Sequence, residues 1–221
     1  MSGTALRRFT RADLEAGSPR LLREGHAANA TVSCFSFGGR EWTVKDFSGK
    51  SFAVRTFLAP FLFWRELKAV RALAGIEGVP SEGFRIDRSA IAIEFLPGEP
   101  LSGVIRRQPE RMTVEFLESM EELMRRVHRA GLVHLDARGT GNWVVLPNGR
   151  AGLIDFQASL GTCWMPARLR EILEIVDMSG VLKKWKECHP EAMGPEREAL
   201  YERGDRLRRM WRVKGYLGLR K

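Results

Sequence analysis

His134-Leu135-Asp136-Ala137-Arg138-Gly139-Thr140-Gly141-Asn142, followed by Leu153-Ile154-Asp155-Phe156, is the part of the chain that decides its reading. The first stretch lies between two short strand-like runs, 132–133 and 143–146. The second closes another, 151–154, after a Pro147-Asn148-Gly149 turn. Two carboxylates and one carboxamide therefore stand at strand ends and in turns. Phosphoryl transfer from a nucleoside triphosphate asks for such a set. One carboxylate orients and deprotonates the attacking hydroxyl; an amide oxygen and a second carboxylate hold Mg²⁺; a lysine anchors the phosphates, and an acid holds that lysine. In chain order these parts are supplied by Lys45, Glu66, Asp136, Asn142 and Asp155.

Working outward toward the N-terminus, 90–96 and 84–88 read as strands. Pro60 opens a helix over 61–74 that Gly75 closes, with Phe63, Leu67, Val70 and Leu73 at helical spacing. Gly38-Gly39 predicts a hairpin between strands 31–37 and 41–47, and a third strand is expected over 52–57. Thr10 followed by Asp13 predicts a helix N-cap, with Gly17-Ser18-Pro19 as its stop. Pro97-Gly98-Glu99-Pro100 breaks the chain and is expected to be a hinge. Beyond it a helix is expected over 109–130, ended by Gly131, and 166 onward is mostly helical and basic.

The chain has 221 residues, 44% apolar and 29% charged, which suits one domain or two small lobes with a real core. Its three cysteines, Cys34, Cys163 and Cys188, are far apart and in no metal-ligand spacing; the last two read as small apolar fillers, and a reducing compartment fits. A net charge of +9 favours polyanionic partners such as nucleotide phosphates. The start lacks an apolar signal region and no run spans a membrane, so a cytoplasmic location is expected.

Singly, Lys45 on a strand and Glu66 on a helix are charges that ordinarily face solvent. In order, with the loop behind them, they resemble the protein-kinase-like superfamily over about residues 25–177. Val44-Lys45 resembles the family's third-strand lysine and Glu66 its helical partner. His134-Leu135-Asp136 with Asn142 resembles the catalytic loop, and Asp155-Phe156-Gln157 the metal-binding Asp-Phe-Gly. Ile93-Glu94-Phe95-Leu96 resembles the adenine hinge; the resemblance implies adenine contacts from the Glu94 carbonyl and the Leu96 amide. Gly25, Ala27, Ala30 and Val32 match the glycine-rich loop with alanine at two of three glycine positions, which is expected to cost left-handed backbone freedom.

The resemblance implies an α+β, two-lobed fold: an antiparallel-sheet N-lobe over 1–96, a hinge at 97–100 and a mainly helical C-lobe over 101–221. It implies ATP and Mg²⁺ as cofactors, bound between the lobes. Asp136 would be the base, Asn142 and Asp155 the Mg²⁺ ligands, and Lys45 the α/β-phosphate contact held by Glu66. Arg138 would steady the transferred phosphoryl group, and His134 would hold the loop. Asp177 reads equally as a loop anchor or as a surface aspartate. Three departures stand out: Leu135 replaces the loop arginine, so no activation-loop phosphate switch is expected. Asn142 follows Asp136 by six positions rather than five, and Gln157 replaces a glycine.

Only 22 positions separate Asp155 from Asp177, too few for a peptide platform. With the Pro-Gly after the hinge and the basic tail, this resembles the small bacterial lipopolysaccharide kinases, which phosphorylate inner-core sugars such as Kdo or heptose. The expected acceptor is therefore a hydroxyl on a sugar-lipid. A RIO-like protein serine/threonine kinase, an aminoglycoside- or choline-type phosphotransferase and an inactive scaffold are the alternatives. The tail from Arg206 carries seven cations and no acid over 16 residues with Trp211 and Tyr216 interleaved, which fits an anionic membrane face and equally a solvated helix face. The uncharged run 156–167 fits either a partner surface or core. No nucleic-acid reader motif is present.

Overall fold

The computed structural model describes residues 8–215, with side chains to 209, so the reading of the basic tail falls largely outside the described residues. The chain divides into two compact units: residues to Gly75 with Val79–Leu96, and Ile76–Gly78 with residues from Pro97 onward.

The first unit opens with helix α1 (Arg11–Ala16). Thr10 and Asp13 form a reciprocal capping box and Gly17 ends the turn, as their spacing predicts. A five-stranded antiparallel sheet follows, β1 (Arg20–Arg23), β2 (Thr31–Phe37), β3 (Arg40–Asp46), β4 (Gly83–Arg85) and β5 (Ala90–Glu94), in the order β1-β2-β3-β5-β4. Gly38 and Gly39 both take left-handed φ, as a two-residue hairpin that matches strand twist requires. Side chains alternate across the pleat, so each face has its own core. Phe9, Leu14, Phe35, Trp42, Val44, Phe84 and Ala92 fill one face. Ala30, Phe47, Ile91 and Ile93 fill the other, under Phe63, Leu67 and Val70 of helix α2 (Ala59–Ala72).

The strand expected over 52–57 does not exist. That stretch winds as helix, with a π-helical turn at Val54–Leu58 that runs directly into α2. Its β-branched and aromatic residues have strand propensity, but the sheet has no vacant place beside β3. The register Lys45↔Ile91 and Thr43↔Ile93 gives that edge to β5, so tertiary pairing overrides local preference.

The second unit holds β6 (Glu99–Pro100), α3 (Leu101–Arg107), a 3₁₀ turn at Pro109–Arg111, α4 (Val114–Arg129), β7 (Leu132–Val133), β8 (Trp143–Val145), β9 (Ala151–Leu153), β10 (Leu160–Gly161), α5 (Ala167–Cys188) and α6 (Pro190–Gly215). Helix α4 begins at a Thr113 cap rather than at Pro109, and α3 was not foreseen. Glu99 and Pro100, expected in the hinge, pair with β8 as Glu99↔Val145 and Pro100↔Val144. Helix α5 is the unit's central element, burying Leu173, Val176, Val181, Leu182 and Trp185. No helix among the described residues is long and apolar enough to cross a membrane. Cys163 is exposed and Cys188 half-buried, so neither is the core filler expected.

Candidate active site

Lys45 shares a face with Ile91 and Phe47 by strand parity, so it points under α2 rather than to solvent. Glu66 stands three residues after Phe63, within the buried stripe of α2. The two meet at 2.6 Å, with Lys45 5% exposed and Glu66 1% exposed. An ion pair this deep costs desolvation on both sides, so geometry has to supply the return. Val32 stands opposite Lys45 on β2 and is buried, as is Ala30.

The Gly25–Ala30 loop corrects one expectation. Ala27 adopts left-handed φ (+49°) despite its Cβ, a conformation costing roughly 1 kcal/mol. Gly25 is constrained differently: a Cβ there would lie 2.5 Å from the Asn29 carbonyl oxygen. The Lys50 ammonium donates to the Gly25 carbonyl at 2.7 Å and closes the loop. At the end of β5, the Glu94 carboxylate accepts from the Ser81 amide (2.8 Å), the Ser81 hydroxyl (2.5 Å) and Arg40 (3.3 Å). Burial pushes its carboxyl up, but these donors outweigh it and leave it below the usual range. The Phe95 amide donates to the Glu41 carbonyl, and Leu96 is half-buried at the unit's end.

In the second unit the loop 134–142 is held by hydrogen bonds over 134–138 and at Asn142. Asp177, buried on α5, accepts the amides of His134 (2.5 Å) and Leu135 (2.7 Å), so it is the loop anchor and not a surface group. Leu135 is held in left-handed φ (+65°) by that bond, a conformation a leucine rarely takes unaided. The His134 ring accepts the Asp136 amide on Nδ1 (3.2 Å), so its Nε2–H donates to the Ile154 carbonyl (3.1 Å). Both ring nitrogens are engaged in holding the loop. Trp143 Nε1–H donates to the Ala137 carbonyl at 2.7 Å, and Lys184 donates to the Arg138 carbonyl at 2.7 Å. Gly180 lets the loop lie on α5, because a Cβ there would meet the Arg138 Cα at 2.9 Å.

Asp136 itself is exposed. The Asn142 side-chain amide donates to its carboxylate at 2.9 Å and to its carbonyl at 3.0 Å. The extra residue between them is taken up with neither Gly139 nor Gly141 at positive φ. With its nitrogen committed to Asp136, the Asn142 amide has its oxygen left to coordinate a cation. Trp143 pairs with Leu153, and the Ile154 amide donates to the Asn142 carbonyl, so Asn142 and Asp155 leave adjacent strand ends. Asp155 is also in left-handed φ (+65°), which turns the chain sharply into the 3₁₀ turn Phe156–Ala158. A carboxamide oxygen and a carboxylate are hard donors of the kind Mg²⁺ takes, with nucleotide phosphates and water completing its shell. The residues present therefore fit that ion.

Arg138 has a partner that its sequence context does not announce. Its guanidinium is ion-paired with Asp205 of α6 at 3.2 Å, tying the loop to that helix, and no hydrogen bond links it to Asp136 or Asn142 among the described residues. In the run 156–167, Phe156 is core against His134, whereas Trp164 is 77% exposed.

Trp143, Lys184 and Gly180 were not foreseen as loop supports. Nothing in Lys183-Lys184 tells the buried lysine from its neighbour, because α5 shows little amphipathic pattern. Burial pushes the Lys184 ammonium down to about 8 from the usual 10.5. Between those values the folded chain sheds this proton before the unfolded chain does, so stability rises with pH through that window and falls again as pH drops through about 8. In urea unfolding, parent stability relative to Lys184→Met is expected to climb by roughly 3 kcal/mol across the window. A flat difference would show that the ammonium is not desolvated.

No family model matches the chain. Part of it is similar to curated serine/threonine-protein kinases: 29% identical over 79 residues to drp72 of Corynebacterium efficiens, and 33% over 69 residues to PknA of Mycobacterium tuberculosis. These stretches are 34% and 30% of this chain but 15% and 16% of the relatives, so the chain spans about a sixth of the length of the curated relatives it matches. Among solved structures, the crystal structure of Cex1p aligns with a TM-score of 0.61 at 12% identity, covering 91% of this chain and 41% of that one. The fold is α+β, with an antiparallel-sheet unit and a helical unit, consistent with a two-lobed kinase-like fold.

Proposed function

We propose that the chain is an ATP-dependent phosphotransferase with a hydroxyl acceptor. The observation that carries this is the Asn142 amide bound to Asp136 across a six-residue spacing, which joins a base and a metal donor in one rigid loop. Lys45, held by Glu66, takes the α- and β-phosphates. Asn142 and Asp155 are the Mg²⁺ ligands, and the ion when bound supplies neutralisation of phosphate charge. Asp136 accepts the acceptor's hydroxyl proton as that oxygen bonds to the γ-phosphorus and the bond to the β–γ bridging oxygen breaks, releasing ADP. Arg138, paired with Asp205, acts by positioning the loop.

For the acceptor, a sugar hydroxyl on a lipopolysaccharide core is the favoured class. Helix α5 begins at Ala167, only twelve residues after Asp155, which leaves little chain to cradle a peptide. The partial similarity to serine/threonine kinases supports a protein hydroxyl as the second reading. Incubation of the chain with γ-labelled ATP, Mg²⁺ and fractionated bacterial extract decides between them: label is expected in the sugar-lipid fraction, and label in protein would favour the second. No transfer to any fraction, with no Mg²⁺-dependent stabilisation by ATP, would overturn phosphotransfer altogether.

A further inference from the structure

Among the described residues, the outer side of the helix over 52–72 is exposed. Phe57, Phe61, Trp64, Lys68 and Arg71 recur at intervals of four, three, four and three, which is one face of a helix, and all are exposed. Phe57 is 72% exposed, Trp64 58%, and Phe52, preceding the π-helical turn, 70%. These aromatics lie opposite the stripe of Ala59, Phe63, Leu67 and Val70 that covers the sheet, so α2 is apolar on both sides in its first half. Folding alone does not account for the outer one.

Cations accompany it. Between Phe47 and Gly75 stand Lys50, Arg55, Arg65, Lys68 and Arg71 against one acid, Glu66, which is buried on Lys45. The Arg65 guanidinium lies over the Phe61 ring at 5.4 Å and the Lys68 ammonium over Trp64 at 5.1 Å, with the two rings stacked at 6.3 Å. Rings with cations at their rims, and no exposed acid between them, complement a surface whose apolar layer lies beneath anionic headgroups. The rings enter the boundary while the long basic stems reach back to the phosphates. A second copy of the chain fits less well, because two-fold contact of this face with itself would set the same cations against each other.

We propose that the outer face of this helix docks on an anionic lipid bilayer, with Phe57, Phe61 and Trp64 inserted at the headgroup boundary and Lys68 and Arg71 on the phosphates. The surface is the side of the helix opposite buried Glu66, and the proposal does not rest on the reaction assigned to the chain. The full chain is mixed with vesicles of phosphatidylcholine alone and of phosphatidylcholine with phosphatidylglycerol, and binding is read by co-sedimentation. Binding is expected only to the anionic vesicles and is expected to weaken with salt. Phe61→Ser/Trp64→Ser is expected to weaken it at least about tenfold with unchanged circular dichroism. Because the basic tail also attracts anions, a chain with the cations of 206–221 changed to glutamine serves as a second background, in which the same loss is expected. Brominated lipid is expected to quench a component of tryptophan emission that is missing in Trp64→Phe. Equal vesicle binding by the serine variant, or quenching unaltered in Trp64→Phe, would overturn the proposal. So would a sedimenting dimer that the serine variant abolishes while no vesicle binding is seen.

Discussion

Asp136→Asn is expected to lower kcat by about 10²–10⁴-fold, with thermal stability close to that of the parent. The two halves of this expectation have separate origins. Asp136 is exposed, so its carboxylate contributes little to the core. An asparagine there still offers an oxygen to the Asn142 amide, which now bonds the carboxylate at 2.9 Å and the backbone carbonyl at 3.0 Å. The loop is fixed independently through Asp177, His134, Trp143 and Lys184, so its course should survive the change. What disappears is a group able to accept the hydroxyl proton. KM for ATP should change little, because Asp136 is not assigned to the nucleotide. Single-turnover transfer measured beside a thermal melt tests both halves, and turnover near the parent's would remove Asp136 from the role of base.

The sequence makes the polar chemistry visible and hides the scaffolding. Lys45 and Glu66 are legible because a charge within an apolar strand or helical stripe has to find a partner when buried, and the order of the motifs says which partner. Asn142 is legible as a residue type, but the six-residue spacing is resolved only by seeing its amide on Asp136. Segment 52–57 misleads because its residues favour strands, whereas its fate depends on which strand takes the open edge of β3. Lys184 and Trp143 are hidden for another reason: each meets the loop through a backbone carbonyl, which any sequence provides. The Arg138 pair with Asp205, 67 positions away, is hidden because nothing in the sequence links the two.

Lys45→Met is expected to remove at least about a hundredfold of activity and also to destabilise the fold by roughly 3–5 kcal/mol. The second effect follows from burial. Glu66 is 1% exposed, and the methionine takes away the ammonium that meets it at 2.6 Å. The buried carboxylate then loses the cation that faces it while staying desolvated, which is the costly half of breaking a buried pair. The double variant Lys45→Met/Glu66→Leu removes both charges and fills the space under the sheet beside Phe63, Leu67 and Ile91. It is expected to regain most of the lost stability, because replacing a whole buried pair with apolar groups is close to neutral while removing one partner is not. Activity should not return with it, since no cation remains for the phosphates. Denaturant unfolding and phosphoryl transfer measured on the same three proteins separate the two roles. Recovery of both together would make Lys45 a structural residue only; recovery of neither would show that the pair is needed for packing rather than for its charge.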